Sequence, residues 1–272
     1  MEFDRCKLTL LNFDDSLKQQ KLLQKYPHQW IDCSQIPGTN GFCDRQSLRL
    51  IRKKLTEEKT SAVTFIGNGN YHYVTYILLQ RIHTPFSLIL FDHHSDMSDQ
   101  SPLLSCGSWV TQTMLEHPSL QKVVILGVNQ EDALKPKPFS PKPVLMIHEE
   151  RFNRTPLHVI TKEIRSFLKD VEAIYISIDK DVLDRKEVLT NWDQGSMSLV
   201  QMLYILEYLA KHFRILAMDV CGEYVKRTED VLQVSTRYLV KMNEIVNRAL
   251  VHFARCSGLI SFPSTDRPLI QI

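Results

Sequence analysis

Short runs of consecutive apolar residues recur along the chain, separated by longer stretches in which apolar residues return every three or four positions. The runs are LTLLNF (8–13), AVTFI (62–66), FSLILF (86–91), KVVILGV (122–128), VLMI (144–147), AIYISI (173–178) and RILAMDV (214–220). Runs apolar on both alternating faces predict strands buried on two sides rather than half-exposed ones. The periodic stretches predict helices over 44–58, 71–82, 107–117, 157–170, 198–212 and 236–255. Strand–helix alternation of this kind predicts an α/β fold, a mainly parallel sheet with helices on both faces. The Pro/Lys-rich segment KPKPFSPKP (135–143) interrupts the rhythm, which then resumes, so it reads as a loop within a single domain spanning 1–272. The tail after Cys256 reads as irregular.

In an open parallel sheet, ligands bind beyond the carboxyl ends of the strands. The residues at those ends are unusually polar. AVTFI runs into GNGNYH, with His72 near the next helix. FSLILF runs into Asp92-His93-His94-Ser95-Asp96. AIYISI runs into Asp179-Lys180-Asp181 and then Asp184, and RILAM into Asp219 and Glu223. So many carboxylates on one rim repel one another unless a positive charge sits among them. With imidazoles mixed in, the pattern points to divalent cations. An oxygen-rich set with one or two His favours Mn²⁺ or Mg²⁺ over Zn²⁺. Alternate side chains of an extended segment share a side, so Asp92, His94 and Asp96 can converge while His93 and Ser95 point away. Asp179 and Asp181 have the same spacing.

Composition removes other classes. The chain has 272 residues, 43% apolar and 24% charged, and a net charge of +2. So small a charge gives no basis for binding nucleic acid or an anionic membrane surface. No apolar run approaches the length of a membrane span. The N-terminus lacks a signal-peptide pattern, and six scattered cysteines without C-x-x-C read as reduced thiols of a cytoplasmic protein.

The D-x-H-x-D of Asp92, His94 and Asp96, followed by the S-x-D-x-D of Ser177, Asp179 and Asp181, resembles the arginase/agmatinase (ureohydrolase) family. The resemblance covers roughly residues 60–225 and continues in Asp184 and in the late acids Asp219 and Glu223. It implies a three-layer α/β/α sandwich holding two Mn²⁺ ions, with His72, Asp92, His94, Asp96, Asp179 and Asp181 as ligands. It also implies a metal-bridging hydroxide that attacks a guanidino carbon, and Glu223 as the carboxylate that orients the guanidinium. His94 is both a ligand and part of the catalytic apparatus in this reading. The implied partner is a small guanidino or amidine compound, and the family's habit of association makes a homo-oligomer an expectation.

The sequence also departs from that pattern. GNGNYHY replaces the family's G-G-D-H-S, and SCGSWV (105–110) stands where a His-Gly pair is usual, leaving Cys106, Ser108 or His93 as candidates for the missing protonatable group. Arg185 replaces a Pro, and TNWDQGS (190–196) replaces a T-G-T-P-like loop. Trp109 and Trp192 are candidates for an aromatic wall beside a cationic substrate, and Asp193 for pairing with its distal amine. Two other classes fit parts of the pattern. One is an Asp-His-His phosphoesterase, disfavoured because its D-x-D should precede the D-H-H. The other is a metal-binding protein of the same fold without turnover.

Overall fold

A computed structural model describes residues 3–98, 103–134, 141–226 and 236–262. Its centre is an eight-stranded sheet, parallel throughout, in the order β2-β1-β4-β10-β9-β5-β7-β8. The strands are β1 (Leu8–Asn12), β2 (His28–Asp32), β4 (Val63–Phe65), β5 (Phe86–Phe91), β7 (Leu120–Val128), β8 (Val144–His148), β9 (Ala173–Asp179) and β10 (Arg214–Cys221). A two-residue antiparallel ribbon joins β3 (Phe42–Cys43) to β6 (Leu104–Ser105). Every apolar run singled out above is a strand of the main sheet, as expected.

Three differences have local causes. The strand β2 was not anticipated because HQWID is an edge strand, paired only with β1 and partly exposed, so it carries no apolar run. The helix expected over 71–82 is shorter. A 3₁₀ turn over Gly69–Tyr71 precedes helix α2 (Val74–Leu79), because the chain stays irregular while it delivers His72 to the sheet edge. Two short helices, α4 (Gln130–Leu134) and α5 (Glu149–Arg154), occupy segments too brief to show a period. The remaining helices are α1 (Arg45–Glu57), α3 (Trp109–Glu116), α6 (Leu157–Phe167), α7 (Leu199–His212) and α8 (Thr236–Cys256), close to their expected bounds. Residues 135–140 of the Pro/Lys-rich loop and 263–272 of the tail lie outside the described residues.

Strand alternation divides the core in two. Ile89 and Phe91, Ile174, Ile176 and Ile178, and Met218 and Val220 face one layer, with Ile160 and Ile164 of α6, Met202 and Ile205 of α7, and Val246 and Leu250 of α8. Leu88 and Leu90, Tyr175, Ala217 and Cys221 face the other, with Ile51 of α1, Val74 and Ile77 of α2, and Trp109 and Met114 of α3. The result is a three-layer α/β/α sandwich. Among the described residues, no helix is long and apolar enough to cross a membrane.

Strands β4, β10, β9 and β5 are contiguous in the middle of the sheet. The chain leaves β4, skips two places to form β5, and returns later to insert β9 and β10 between them. That gap is where ligands bind in open α/β sheets, and the polar strand ends identified above all border it.

Candidate metal centre

The site is organised around two imidazoles. His72, brought in ahead of α2, is fully buried; its Nε2 lies 2.9 Å from Ser177 Oγ. The Ser177 hydroxyl has one proton, and it donates it to Asp219 Oδ1 at 2.7 Å. With Asp219 ionised the hydroxyl accepts from Nε2–H, and a neutral ring then presents its lone pair at Nδ1. Tyr175 OH donates to the second oxygen of Asp219 at 2.7 Å and completes the relay. His72 Nδ1 in turn faces Asp96 Oδ2 at 3.0 Å, Asp92 Oδ2 at 3.2 Å and Asp179 Oδ2 at 3.7 Å.

His94 repeats the arrangement. Its Nε2 donates to Asp193 Oδ1 at 3.1 Å, and its Nδ1 faces Asp181 Oδ2 at 3.0 Å and Asp92 Oδ1 at 3.4 Å. Each imidazole thus presents a lone pair to carboxylate oxygens. Such an arrangement is repulsive unless a proton or a cation lies between them. Burial works against charge on both rings, yet Asp92 and Asp96 with Cys221 push His72 upward, and Asp181 and Asp92 push His94 upward. Burial and the neighbouring carboxylates also raise Asp179 to about 7 and Asp181 to about 6, and burial raises Asp96. Two groups of oxygen and imidazole donors, His72/Asp92/Asp96 and Asp92/His94/Asp181, each bring three ligand atoms within 4.8 Å of one another. These donors suit a divalent cation, and Asp92 belongs to both groups.

The backbone is shaped to hold this packing. Asp96 adopts φ of 50°, a left-handed conformation that a short polar side chain tolerates at some cost, and its carboxylate accepts Trp109 Nε1–H at 2.6 Å. At Gly222 (φ 88°) an added Cβ would stand 2.6 Å from Asp179 Oδ1, so only glycine lets β10 turn away beside the site. The N–H of His93 donates to Asp181 Oδ1 at 3.1 Å and that of His94 to Asp92 Oδ1 at 2.6 Å, which orients both carboxylates.

All six residues expected as ligands are brought together. The others are placed differently. Glu223, expected to orient a guanidinium, is buried and already paired: Lys180 Nζ donates to its Oε1 at 2.6 Å, as does Asn247 at 2.7 Å. That pairing uses Oε1 alone, and Oε2 is buried with no hydrogen-bond partner among the described residues. Trp109 is fully buried and touches the site from beneath, its ring 4.9 Å from His72, so it does not line an open wall. Trp192 is 38% exposed, 5.7 Å from the His94 ring, and its indole N–H donates to Asn70. With Asn70, Cys106, Gly107 and Phe42 it borders a cavity of about 530 Å³. Asp193 spends one oxygen on His94 and sets the other 3.8 Å from His93 Nε2.

In the SCGSWV segment, Ser108 Oγ accepts from both the amide and the hydroxyl of Ser105, and burial pushes the Cys106 thiol up to about 12. The Cys106 thiol is therefore held protonated near neutral pH. His93 is buried with Nδ1 unpartnered among the described residues. Asp184 accepts from the Lys186 amide and pairs its own amide with Met197, so it holds the loop after β9. Sequence reasoning overlooked Lys180 and Cys221. Strand alternation from Asp219 would have placed Cys221 on the site face.

Two expected results follow from this geometry. Ser177→Ala leaves His72 Nε2–H without its acceptor and Asp219 Oδ1 without its Ser177 donor, while Tyr175 still donates to Oδ2. Metal affinity measured by calorimetry should fall by about 10- to 100-fold, the usual effect of losing a partner that orients a ligand. In the presence of a chelator, urea unfolding should show stability falling as pH rises from 4 to 7. The folded chain holds protons on Asp179 and Asp181 that the unfolded chain, with carboxyls near 3.8, has released. The raised pKa values of His72 and His94 act in the same direction above their ordinary 6.5. Cations displace those protons, so metal affinity should rise over the same window.

The fold and the donor groups define an α/β protein with metal-ligand candidates at the carboxyl edge of a parallel sheet. Its family is equally plain: a profile described as the arginase family matches residues 8–224, and the chain belongs to that family. Its members are typically binuclear metal enzymes, hydrolases acting on amidino C–N bonds. The chain is also 29% identical over 215 residues to an uncharacterised protein of Thermotoga maritima, covering 79% of this chain and 78% of that protein. Similar solved structures include formimidoylglutamase from Bacillus subtilis (TM-score 0.69, 14% identity, covering 96% of this chain and 89% of that one). Proclavaminate amidino hydrolase from Streptomyces clavuligerus gives 0.66 and 13%, covering 94% and 93%. Arginase from Bacillus cereus gives 0.64 and 13%, covering 90% and 98%. At these identities the likeness is one of fold.

Proposed function

We propose that the protein is a hydrolase that uses two divalent cations to cleave a C–N bond of a small guanidino or amidine compound. The observation that carries this reading is the pair of imidazole Nδ1 atoms. Each has its other ring nitrogen tied down, by Ser177 or by Asp193, and each faces carboxylate oxygens, with Asp92 common to both. Among the solved structures of the same fold are an arginase and a formimidoylglutamase, named for amidine-type reactions. His72, Asp92, Asp96 and Asp179 would hold one ion, and Asp92, His94 and Asp181 the other. A pair of hard divalent ions held there, Mn²⁺ in the family pattern, would lower the pKa of a bound water and supply hydroxide near neutral pH.

The chain itself supplies orientation. Asp193 holds His94, and the face of Trp192 offers an apolar, π-rich surface against which a planar cation can stack. Trp109 and the layer of α1–α3 close the site from below and keep water out. Unpaired thiols at all six cysteines accord with a reducing, cytoplasmic setting.

The test is to load purified protein with Mn²⁺ and screen L-arginine, agmatine, other guanidino compounds and a formimino compound for urea or ammonia release. A phosphodiester serves as the contrasting substrate. Two ions per chain with release from one of these compounds is the expected outcome. Phosphodiester turnover without C–N cleavage, or no bound metal, would reject the reading.

A further inference from the structure

Strands β9 and β10 pair Ser177 with Asp219 and Asp179 with Cys221 on successive same-face rungs. Alternate residues share a face, so both rungs look toward the layer that carries His72. The Ser177/Asp219 rung ties down His72 Nε2. The next rung places Asp179 and Cys221 beside the same imidazole. His72, Asp179 and Cys221 are all buried, and each offers a ligand atom within 4.8 Å of the others. Cys221 Sγ–H donates to Asp179 Oδ2 at 3.1 Å, the same oxygen that faces His72 Nδ1 at 3.7 Å. A thiol proton here stands between a sulfur and a carboxylate oxygen, as a cation would. Cys33 and Cys43, by contrast, are buried in the apolar cluster of the α1–α3 layer and belong to no such group among the described residues.

We propose that Cys221 is a metal ligand, its thiolate joining His72 and Asp179 on one ion and making the two positions chemically unequal. The position formed by Asp92, His94 and Asp181 keeps only oxygen and nitrogen donors. On binding, the thiol proton leaves to solvent, the sulfur lone pair goes to the cation, and Asp179 Oδ2 is released from its hydrogen bond. A thiolate among imidazole and carboxylate donors shifts preference from Mn²⁺ and Mg²⁺ toward Zn²⁺, Fe²⁺ or Co²⁺. This inference rests on the metal-centre reading above and adds to it the selectivity of one position.

The experiment is to load the apoprotein with Co²⁺ and record absorption. Wild type should show the visible bands of bound Co²⁺ together with a near-ultraviolet thiolate-to-metal charge-transfer band. Cys221→Ser should lose the charge-transfer band and keep the visible bands, while Cys106→Ser should keep both. In competition, the preference for Zn²⁺ over Mn²⁺ should fall about tenfold or more in Cys221→Ser. X-ray absorption of Zn²⁺-loaded wild type needs no variant and should find a sulfur neighbour at about 2.3 Å. Visible bands without charge transfer, no sulfur neighbour, or a band that survives Cys221→Ser would overturn the assignment and leave the metal centre standing. Failure to bind any Co²⁺ or Zn²⁺ would overturn the metal centre and the assignment with it.

Discussion

Asp92→Asn is expected to reduce the bound metal from two ions per chain to at most one and to lower turnover by about 10³-fold or more. Asp92 is the residue common to both oxygen and imidazole donor groups, with Oδ2 toward His72 and Oδ1 toward His94. A carboxamide keeps one ligand oxygen and cannot serve both. Cations in such a site contribute several kcal/mol to charge stabilisation, and about 1.4 kcal/mol is a factor of ten in rate. The effect on the fold has the opposite sign. Asp92 is among the charges that raise Asp179 and Asp181, so neutralising it relieves repulsion. In chelator the variant should be at least as stable as wild type. Added Mn²⁺ should raise the melting temperature of wild type and leave that of the variant almost unmoved. Metal analysis and thermal unfolding with and without the ion check both halves. A variant that still binds two ions would show that the groups do not share Asp92.

The largest expected effect on stability lies just behind the site. Lys180 is fully buried, and its ammonium donates to Glu223 Oε1 at 2.6 Å, Asn243 Oδ1 at 2.6 Å and Asn247 Oδ1 at 3.2 Å, using all three protons. Burial pulls its pKa down while Glu223 and Asp179 pull it up. Lys180→Met leaves the Glu223 carboxylate buried without its cation and should cost about 3–5 kcal/mol, measured by urea unfolding in chelator. Lys180→Met with Glu223→Leu removes both charges and should recover most of that loss, since a buried pair replaced by apolar groups is often near neutral. If the double variant is as unstable as the single one, the cost arises from packing and not from the stranded charge. The pair also joins the end of β9 to α8 through Asn243 and Asn247, so its loss should loosen that helix.

Much of the scaffold was legible because its causes are local. FSLILF and AIYISI are apolar on both faces, which only a strand covered on two sides requires, and their polar continuations had to emerge at the sheet edge. Period-two alternation predicts Asp92, His94 and Asp96 on one side. The segment instead bends at 93–94 and turns left-handed at Asp96. Asp92 therefore meets Asp96 in one group and His94 in the other, and His93 lies beside Asp193 as His94 does. Other features were hidden. HQWID forms a strand because β1 offers it an edge, not because of its own pattern. Trp109, a candidate from the sequence for an aromatic wall beside a cationic substrate, is drawn inward by the packing of α3 and donates to Asp96.

The sequence by itself determined seven of the eight strands of the main sheet and its long helices, the parallel three-layer class, and the acids and imidazoles delivered to one rim. Tertiary structure alone decided which charges meet. Glu223 resembles a substrate carboxylate along the chain, yet its partner Lys180 lies more than forty residues away and reaches it only because β9 and β10 are adjacent. Cys221 joins Asp179 and His72 for the same reason. Alternation and burial act between neighbours along the chain. Charge pairing and ligand geometry act through space, over distances that exist only once the sheet has formed.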